Sequence, residues 1–248
     1  MRGVNHISKR LYIGDLEVQT GGGGADATLA RFVGKKMLVS GDSITEKNFR
    51  ATVNWHDYLC DWLGLGSVEN DGKSGTGLTR AFGGNNGIYS RIDTWTDELD
   101  FIVVMASLND GGGENAALPL GTFADSGVGT SYFAACKAVV QKLLTKYTNV
   151  PIAFITAPPR GSVNDRGAGY GIDGWYHPWC EALKTVCAHY SLPCLDLYHN
   201  SGLRPWLAEN NAAYFSCASS PQGDGTHPNA AGQEILARRV CEFVKENL

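Results

Sequence analysis

Met37-Leu38-Val39-Ser40-Gly41-Asp42-Ser43-Ile44-Thr45 is the stretch on which the reading of this chain turns. A short apolar run of strand length ends at a glycine, and a serine follows two residues later. Gly41 lets the backbone turn sharply, and a Ser43 placed where a strand gives way to a helix gains exposed backbone N–H groups around its oxygen. The competing reading is an ordinary helix N-cap, since Ser and Asp are both favoured there.

Working outward, apolar runs recur at 37–40, 100–106, 151–156 and 193–198, with a weaker one at 66–70. Helical spacing separates them at about 53–63, 131–147 and 176–190, and a last helix is expected over 229–246. In 131–147, Phe133, Cys136, Val139, Val140, Leu143 and Leu144 repeat with the period of one helix face. Strand–helix alternation predicts a parallel sheet covered on both faces. Residues that handle a ligand then gather at the carboxyl ends of the strands. Ser43, Asn109 and the 157–175 loop all follow strand ends.

The first 25 residues read differently. Residues 10–18 resemble a strand or hairpin arm, and Gly21-Gly22-Gly23-Gly24 is a flexible linker by composition. This divides the chain into an N-terminal appendage, 1–25, and a domain, 26–248. The stretch Tyr12-Ile13-Gly14-Asp15-Leu16-Glu17-Val18 is similar to short segments common in phage structural proteins. The appendage is therefore a candidate contact for a virion or for a second copy of the chain.

With 248 residues, 43% of them hydrophobic, the chain is long enough for one substantial core. A net charge of −4 offers no basic footprint for nucleic acid. No run of apolar residues is long enough to span a membrane, and the start lacks the apolar stretch of a signal peptide. Export in this form is not supported, and the compartment stays open, cytoplasmic or virion-associated. The seven cysteines contain no C-x-x-C pair, so they read as small buried hydrophobes, not as metal ligands.

Three further blocks carry chemistry. Asn70-Asp71-Gly72-Lys73-Ser74-Gly75 offers a glycine whose N–H can face an oxyanion. Its rival, a phosphate-binding loop, fails because position 67 is Ser where the motif's first Gly belongs. Ser107-Leu108-Asn109-Asp110 ends the third strand, where an Asn amide can donate to developing charge, although Asn-Asp-Gly is also ordinary turn chemistry. Asp224-Gly225-Thr226-His227-Pro228-Asn229 sets a carboxylate three residues before an imidazole. The plain alternative is a Pro-Asn helix start with a solvated Asp. The other histidines, 6, 56, 177, 189 and 199, lack such a partner in sequence and read as structural.

In this order and over about 36–246, the four blocks resemble the SGNH (GDSL-like) hydrolases. Gly41-Asp42-Ser43-Ile44 corresponds to the nucleophile block, Gly75 to the second-block glycine, Asn109 to the Asn of Gly-x-Asn-Asp, and Asp224 with His227 to Asp-x-x-His. Ser107 departs from the family, which usually has Gly there. The resemblance implies an α/β, flavodoxin-like three-layer sandwich with a parallel sheet of about five strands. It also implies an esterase that needs neither metal nor cofactor. Ser43 would be the nucleophile, His227 the base and Asp224 its partner, with Ser43, Gly75 and Asn109 as the oxyanion hole. The loop containing Arg160, Asn164, Tyr170 and Trp175 is polar and aromatic, which suits an acylated glycan or other small acetyl ester. A lipase or thioesterase stands behind that reading, as does a non-catalytic glycan-binding or virion module on the same fold.

Overall fold

In the computed structural model, which describes residues 11–13, 16–18, 27–107, 109–111, 118–161 and 176–248, the apolar runs become one parallel sheet. Two short strands near the N-terminus form a separate two-stranded sheet. In it β1 (Leu11–Ile13) pairs antiparallel with β2 (Leu16–Val18), Leu11 facing Val18. The linker 21–24 and the boundary near residue 25 lie outside the described residues. A short helix, α1 (Ala27–Ala30), precedes the sheet.

The main strands are β3 (Lys36–Gly41), β4 (Ser67–Gly72), β5 (Phe101–Met105), β6 (Ile152–Ile155) and β7 (Cys194–Leu195). Their order across the sheet is β4-β3-β5-β6-β7, and every pairing is parallel. Because β3 has the next strand in sequence on one side and the following one on the other, the winding reverses there. In such sheets the crevice outside the carboxyl ends at that reversal is the usual ligand site. Ser43 follows the end of β3.

Alternation along the strands divides the core into two layers. Met37, Val39, Phe101, Val103 and Met105 face α2 (Trp55–Leu63) and α8 (Ala230–Asn247), through Trp55, Leu59, Leu236, Val240 and Val244. Leu38, Ile102, Val104 and Phe154 face the other way. They meet α3 (Ile88–Arg91), α4 (Tyr132–Lys146) and α5 (His177–His189) through Ile88, Val139, Leu143, Leu183 and Val186. Each such fully buried aliphatic side chain contributes about 1.5–3 kcal/mol by leaving water. The helix starts are chemically marked: Ser131 caps α4 by accepting from Ala134 N–H at 3.2 Å, and Asn229 caps α8 by accepting from Gly232 N–H at 3.1 Å.

The expected strand over 193–198 is cut short. Only Cys194 and Leu195 pair with β6, and the chain then turns into α6 (Leu197–Asn200), whose first N–H groups Asp196 caps by accepting from His199 N–H at 3.1 Å. An edge strand has one partner to hold it, so an Asp with a capping geometry ends it early. A further short helix, α7 (Ala208–Tyr214), lies before the Asp224 loop. Cys136, Cys180, Cys187 and Cys241 are buried as expected, whereas Cys60, Cys194 and Cys217 are half-exposed; all seven are free thiols. Among the described residues no helix is long and apolar enough to cross a membrane.

Arg91 holds the carboxyl ends of β3 and β4 together. Its guanidinium reaches both carboxylate oxygens of Asp71 at 3.0 and 3.1 Å, the Asp71 carbonyl at 2.9 Å and the Gly41 carbonyl at 3.2 Å. Both side chains are nearly buried, so Arg91→Leu leaves Asp71 charged and unpaired. The expected loss is about 3–5 kcal/mol of stability, read as a drop in urea midpoint at unchanged slope; a change below 1 kcal/mol would show that the pair behaves as a surface bridge.

Candidate active site

The chain after β3 does not enter a helix at Ser43. It makes one hydrogen-bonded turn, with Thr45 and Glu46 N–H both donating to the Asp42 carbonyl, and the next helix begins only at Trp55. Gly41 is required by this tight return, because a Cβ there would collide with the Thr45 side chain. Asp42 is buried and accepts from Ile44 N–H at 2.9 Å, while Gln233 of α8 donates to the Ile44 carbonyl at 3.1 Å and accepts from Trp55 N–H. Gln233 thus ties the serine turn to two helices, a role that no local pattern announces.

Ser43 Oγ lies 2.9 Å from His227 Nε2, and His227 Nδ1 lies 2.8 Å from Asp224 Oδ2. The second carboxylate oxygen accepts from the backbone N–H groups of His227 at 2.7 Å and Thr226 at 2.9 Å. Burial works to raise the Asp224 carboxyl, but these three donors outweigh it and hold it down at about 2. Asp224 is therefore an anion at neutral pH, and a carboxylate can only accept, so the proton between them sits on His227 Nδ1. In the neutral imidazole this leaves the Nε2 lone pair toward Ser43. Arg50 Nε stands 3.7 Å from the same carboxylate.

Gly75 follows β4 with φ at 72°, a left-handed conformation that a side chain would strain, and a Cβ there would strike the Phe82 ring. No acceptor among the described residues is bonded to the backbone N–H of Ser43 or of Gly75. Asn109 gives one amide hydrogen to the Thr76 carbonyl at 2.9 Å and turns the other toward Asp42 Oδ2 at the longer distance of 3.3 Å. Ser107, the residue that departs from the family pattern, is used: its hydroxyl donates to Asp42 Oδ2 at 2.8 Å and accepts from Asn109 N–H at 2.9 Å. The neighbouring Asp110 is buried, which pushes its carboxyl up. Opposing that, it accepts from the N–H groups of Leu78, Thr79 at 3.1 Å and Arg80 at 3.0 Å, so the Asn109 turn is anchored to the segment after Gly75.

Ser43, Gly75, Asn109, Arg160 and His227 share one cavity of about 330 Å³ with Arg50, Ser74 and Thr226. The loop carrying Arg160 is bound to the histidine loop through Gly161 N–H, which donates to the Gly225 carbonyl at 2.7 Å. Asn164, Tyr170 and Trp175 lie outside the described residues. Sequence reasoning missed Arg50 and Ser74; Ser74 was visible as the neighbour of Gly75, whereas Arg50 sits in a polar stretch with no distinguishing pattern. One expectation is corrected. His199, read as lacking a partner, has Asp196 three residues before it and bonded at 2.8 Å, the same spacing as Asp224 and His227.

A family model for the GDSL-like lipase/acylhydrolases matches residues 39–235, most of the chain. The chain belongs to that family. As a GDSL-like (SGNH) hydrolase it is a carboxylic ester hydrolase, and its five-stranded parallel sheet is the α/β fold of the group. It is similar to the structure of a Lactobacillus plantarum protein, with 27% identity and a TM-score of 0.73 over 87% of this chain and 99% of that one. The aryl esterase of M. smegmatis shares the fold at 18% identity and a TM-score of 0.55, over 86% of this chain and 100% of that one. So does an acetyl xylan esterase, at 18% identity and 0.54, over 84% and 99%. A sequence comparison with curated proteins gave no match.

Proposed function

We propose that this GDSL-like hydrolase cleaves short-chain acyl esters, acetyl esters of glycans foremost, through Ser43, His227 and Asp224. The observation that carries this reading is the unbroken chain of contacts from Ser43 Oγ to His227 Nε2 at 2.9 Å and from His227 Nδ1 to Asp224 at 2.8 Å. His227 takes the Ser43 proton as the hydroxyl attacks the ester carbonyl, and Asp224 stabilises the imidazolium. The oxyanion is met by the N–H groups of Ser43 and Gly75 and by the Asn109 hydrogen that otherwise makes the longer bond to Asp42. His227 returns the proton to the departing alcohol. Water, activated by the same imidazole, then releases the acid from the acyl-enzyme. Asn109→Ala removes one donor and is expected to lower kcat by on the order of 10²–10³-fold, with KM little changed; a loss below tenfold would take Asn109 out of the oxyanion hole.

The preference for a short acyl group follows from the cavity. Its described lining is serine, threonine, arginine, asparagine, histidine and glycine, with no apolar side chain. The one apolar loop patch in the sequence, 116–120, offers little, because Leu118 and Leu120 pack against the core. Structural neighbours with the same fold include an acetyl xylan esterase and a carbohydrate acetylesterase family member from Sinorhizobium meliloti. A second reading, longer acyl chains, draws on Phe82, which is exposed beside Gly75, and on Phe49, whose exposed ring stacks on Arg50 at 4.6 Å. Nitrophenyl esters from acetyl to octanoyl separate the two. Each methylene bound in an apolar groove adds about 0.8 kcal/mol, so a lipase climbs along the series, while this chain is expected to decline. Acetate release from acetylated polysaccharides then identifies the alcohol side.

A further inference from the structure

The Asp-x-x-His spacing occurs twice, and the second copy stands in a different setting. Helix α5 places His177 and Glu181 four residues apart, on one face. Helix α6 brings His199 against them: His177 Nδ1 and His199 Nε2 are 3.2 Å apart, and His177 Nδ1 is 4.0 Å from Glu181 Oε1. One ligand atom from each of the three residues falls within 4.8 Å of the others. Two nitrogens held about 2.0–2.1 Å from a shared tetrahedral ion would themselves be about 3.3 Å apart, close to the separation seen.

The hydrogen bonding around the group favours a ligand set over an incidental pair. Asp196 Oδ2 lies 2.8 Å from His199 Nδ1, so that nitrogen carries the proton and Nε2 presents its lone pair to His177. A carboxylate behind a histidine in this way fixes the tautomer and orientation that metal-binding imidazoles need. Lys184 bonds Glu181 Oε1 at 2.6 Å and Asp196 Oδ2 at 2.8 Å, offsetting part of their charge. A carboxylate has lone pairs enough to face both an ammonium and an ion. The plain alternative is a His177 N–H donating to His199.

We propose that His177, Glu181 and His199 bind a divalent transition-metal ion of the zinc class, with Asp196 orienting His199, and that the ion ties α5 to α6. Two imidazoles and one carboxylate are a borderline donor set suited to such ions and not to magnesium or calcium. None of these residues lines the cavity around Ser43, so the site stands whether or not the esterase reading does.

The test uses the full chain, freed of metal by a chelator and titrated with zinc chloride alone by calorimetry, with cobalt absorption as a spectroscopic check. Wild type is expected to take one ion per chain and to melt at higher temperature with zinc. His199→Ala and His177→Ala should lose both effects. Asp196→Asn should weaken binding by on the order of 10–100-fold. Circular dichroism and nitrophenyl acetate hydrolysis without metal report that each variant folds, and the exposed His199→Gln serves if His177→Ala does not. Absence of binding in wild type overturns the proposal. So does zinc binding that survives in His199→Ala and vanishes in His227→Ala, which would place the ion on the catalytic pair.

Discussion

Replacing Ser43 with Ala, or His227 with Ala, is expected to lower kcat on nitrophenyl acetate by on the order of 10⁴–10⁶-fold while leaving the thermal unfolding curve nearly in place. In the proposed mechanism the two groups act as one unit across a 2.9 Å contact, so neither should function without the other. The double variant should therefore be scarcely slower than either single one. Both side chains are half-exposed at the cavity, so their loss removes little buried contact. Half the activity surviving in Ser43→Ala would remove Ser43 from the mechanism. Multiplicative losses in the double variant would show that the two residues act independently.

Asp224→Asn is expected to cost about 10⁴-fold in kcat, because an amide in place of the carboxylate no longer secures the proton on His227 Nδ1 and gives no charge to stabilise the imidazolium. The same substitution has a signature in stability. The folded carboxyl titrates at about 2, below its ordinary 3.8, so the folded state binds that proton less readily than the unfolded chain does. A depressed carboxylate adds stability that is fully present above the unfolded value and is lost as pH falls through the folded one. Between about pH 4 and 2, wild type should thus surrender at most about 2 kcal/mol that Asp224→Asn does not have to lose. Urea midpoints across that window measure it. Parallel curves for the two proteins would mean that Asp224 gains nothing from its three donors.

Much of the fold was open to reading because its signals are local. Buried parallel strands must be apolar on both faces, so β3, β5 and β6 stand out as short apolar runs, and α4 declares itself by the spacing of Cys136, Val139, Val140 and Leu143. β4 was harder to see. It carries Glu69, Asn70 and Asp71 at the sheet's edge, where one side of the strand is free of partners, and it runs on to Gly72 past the expected end at 70. β7 was overextended for the opposite reason: the apolar residues of 193–198 continue beyond the strand, but Leu197 and Tyr198 are buried from α6. Burial, not strand pairing, is what their hydrophobicity recorded.

Residue identity and spacing along the chain determined the alternation of strands and helices, the glycine turn after β3, and four blocks in an order that a hydrolase family shares. Each is a property of a few neighbouring residues, so no distant contact is needed to see it. Only the tertiary structure shows which of the two Asp-x-x-His pairs meets Ser43, a place that the family resemblance had assigned to Asp224 with His227. Asp196 with His199 and Asp224 with His227 have the same spacing and the same 2.8 Å bond, yet Ser43 stands beside His227, 184 positions away in sequence. The winding of the sheet sets that choice, by bringing the end of β3 and the loop before α8 to one edge. The same closure places Arg50 near Asp224 and lets the Ser107 hydroxyl join Asp42 to Asn109. Such contacts depend on where distant segments meet, and spacing within any one of them carries no trace of it.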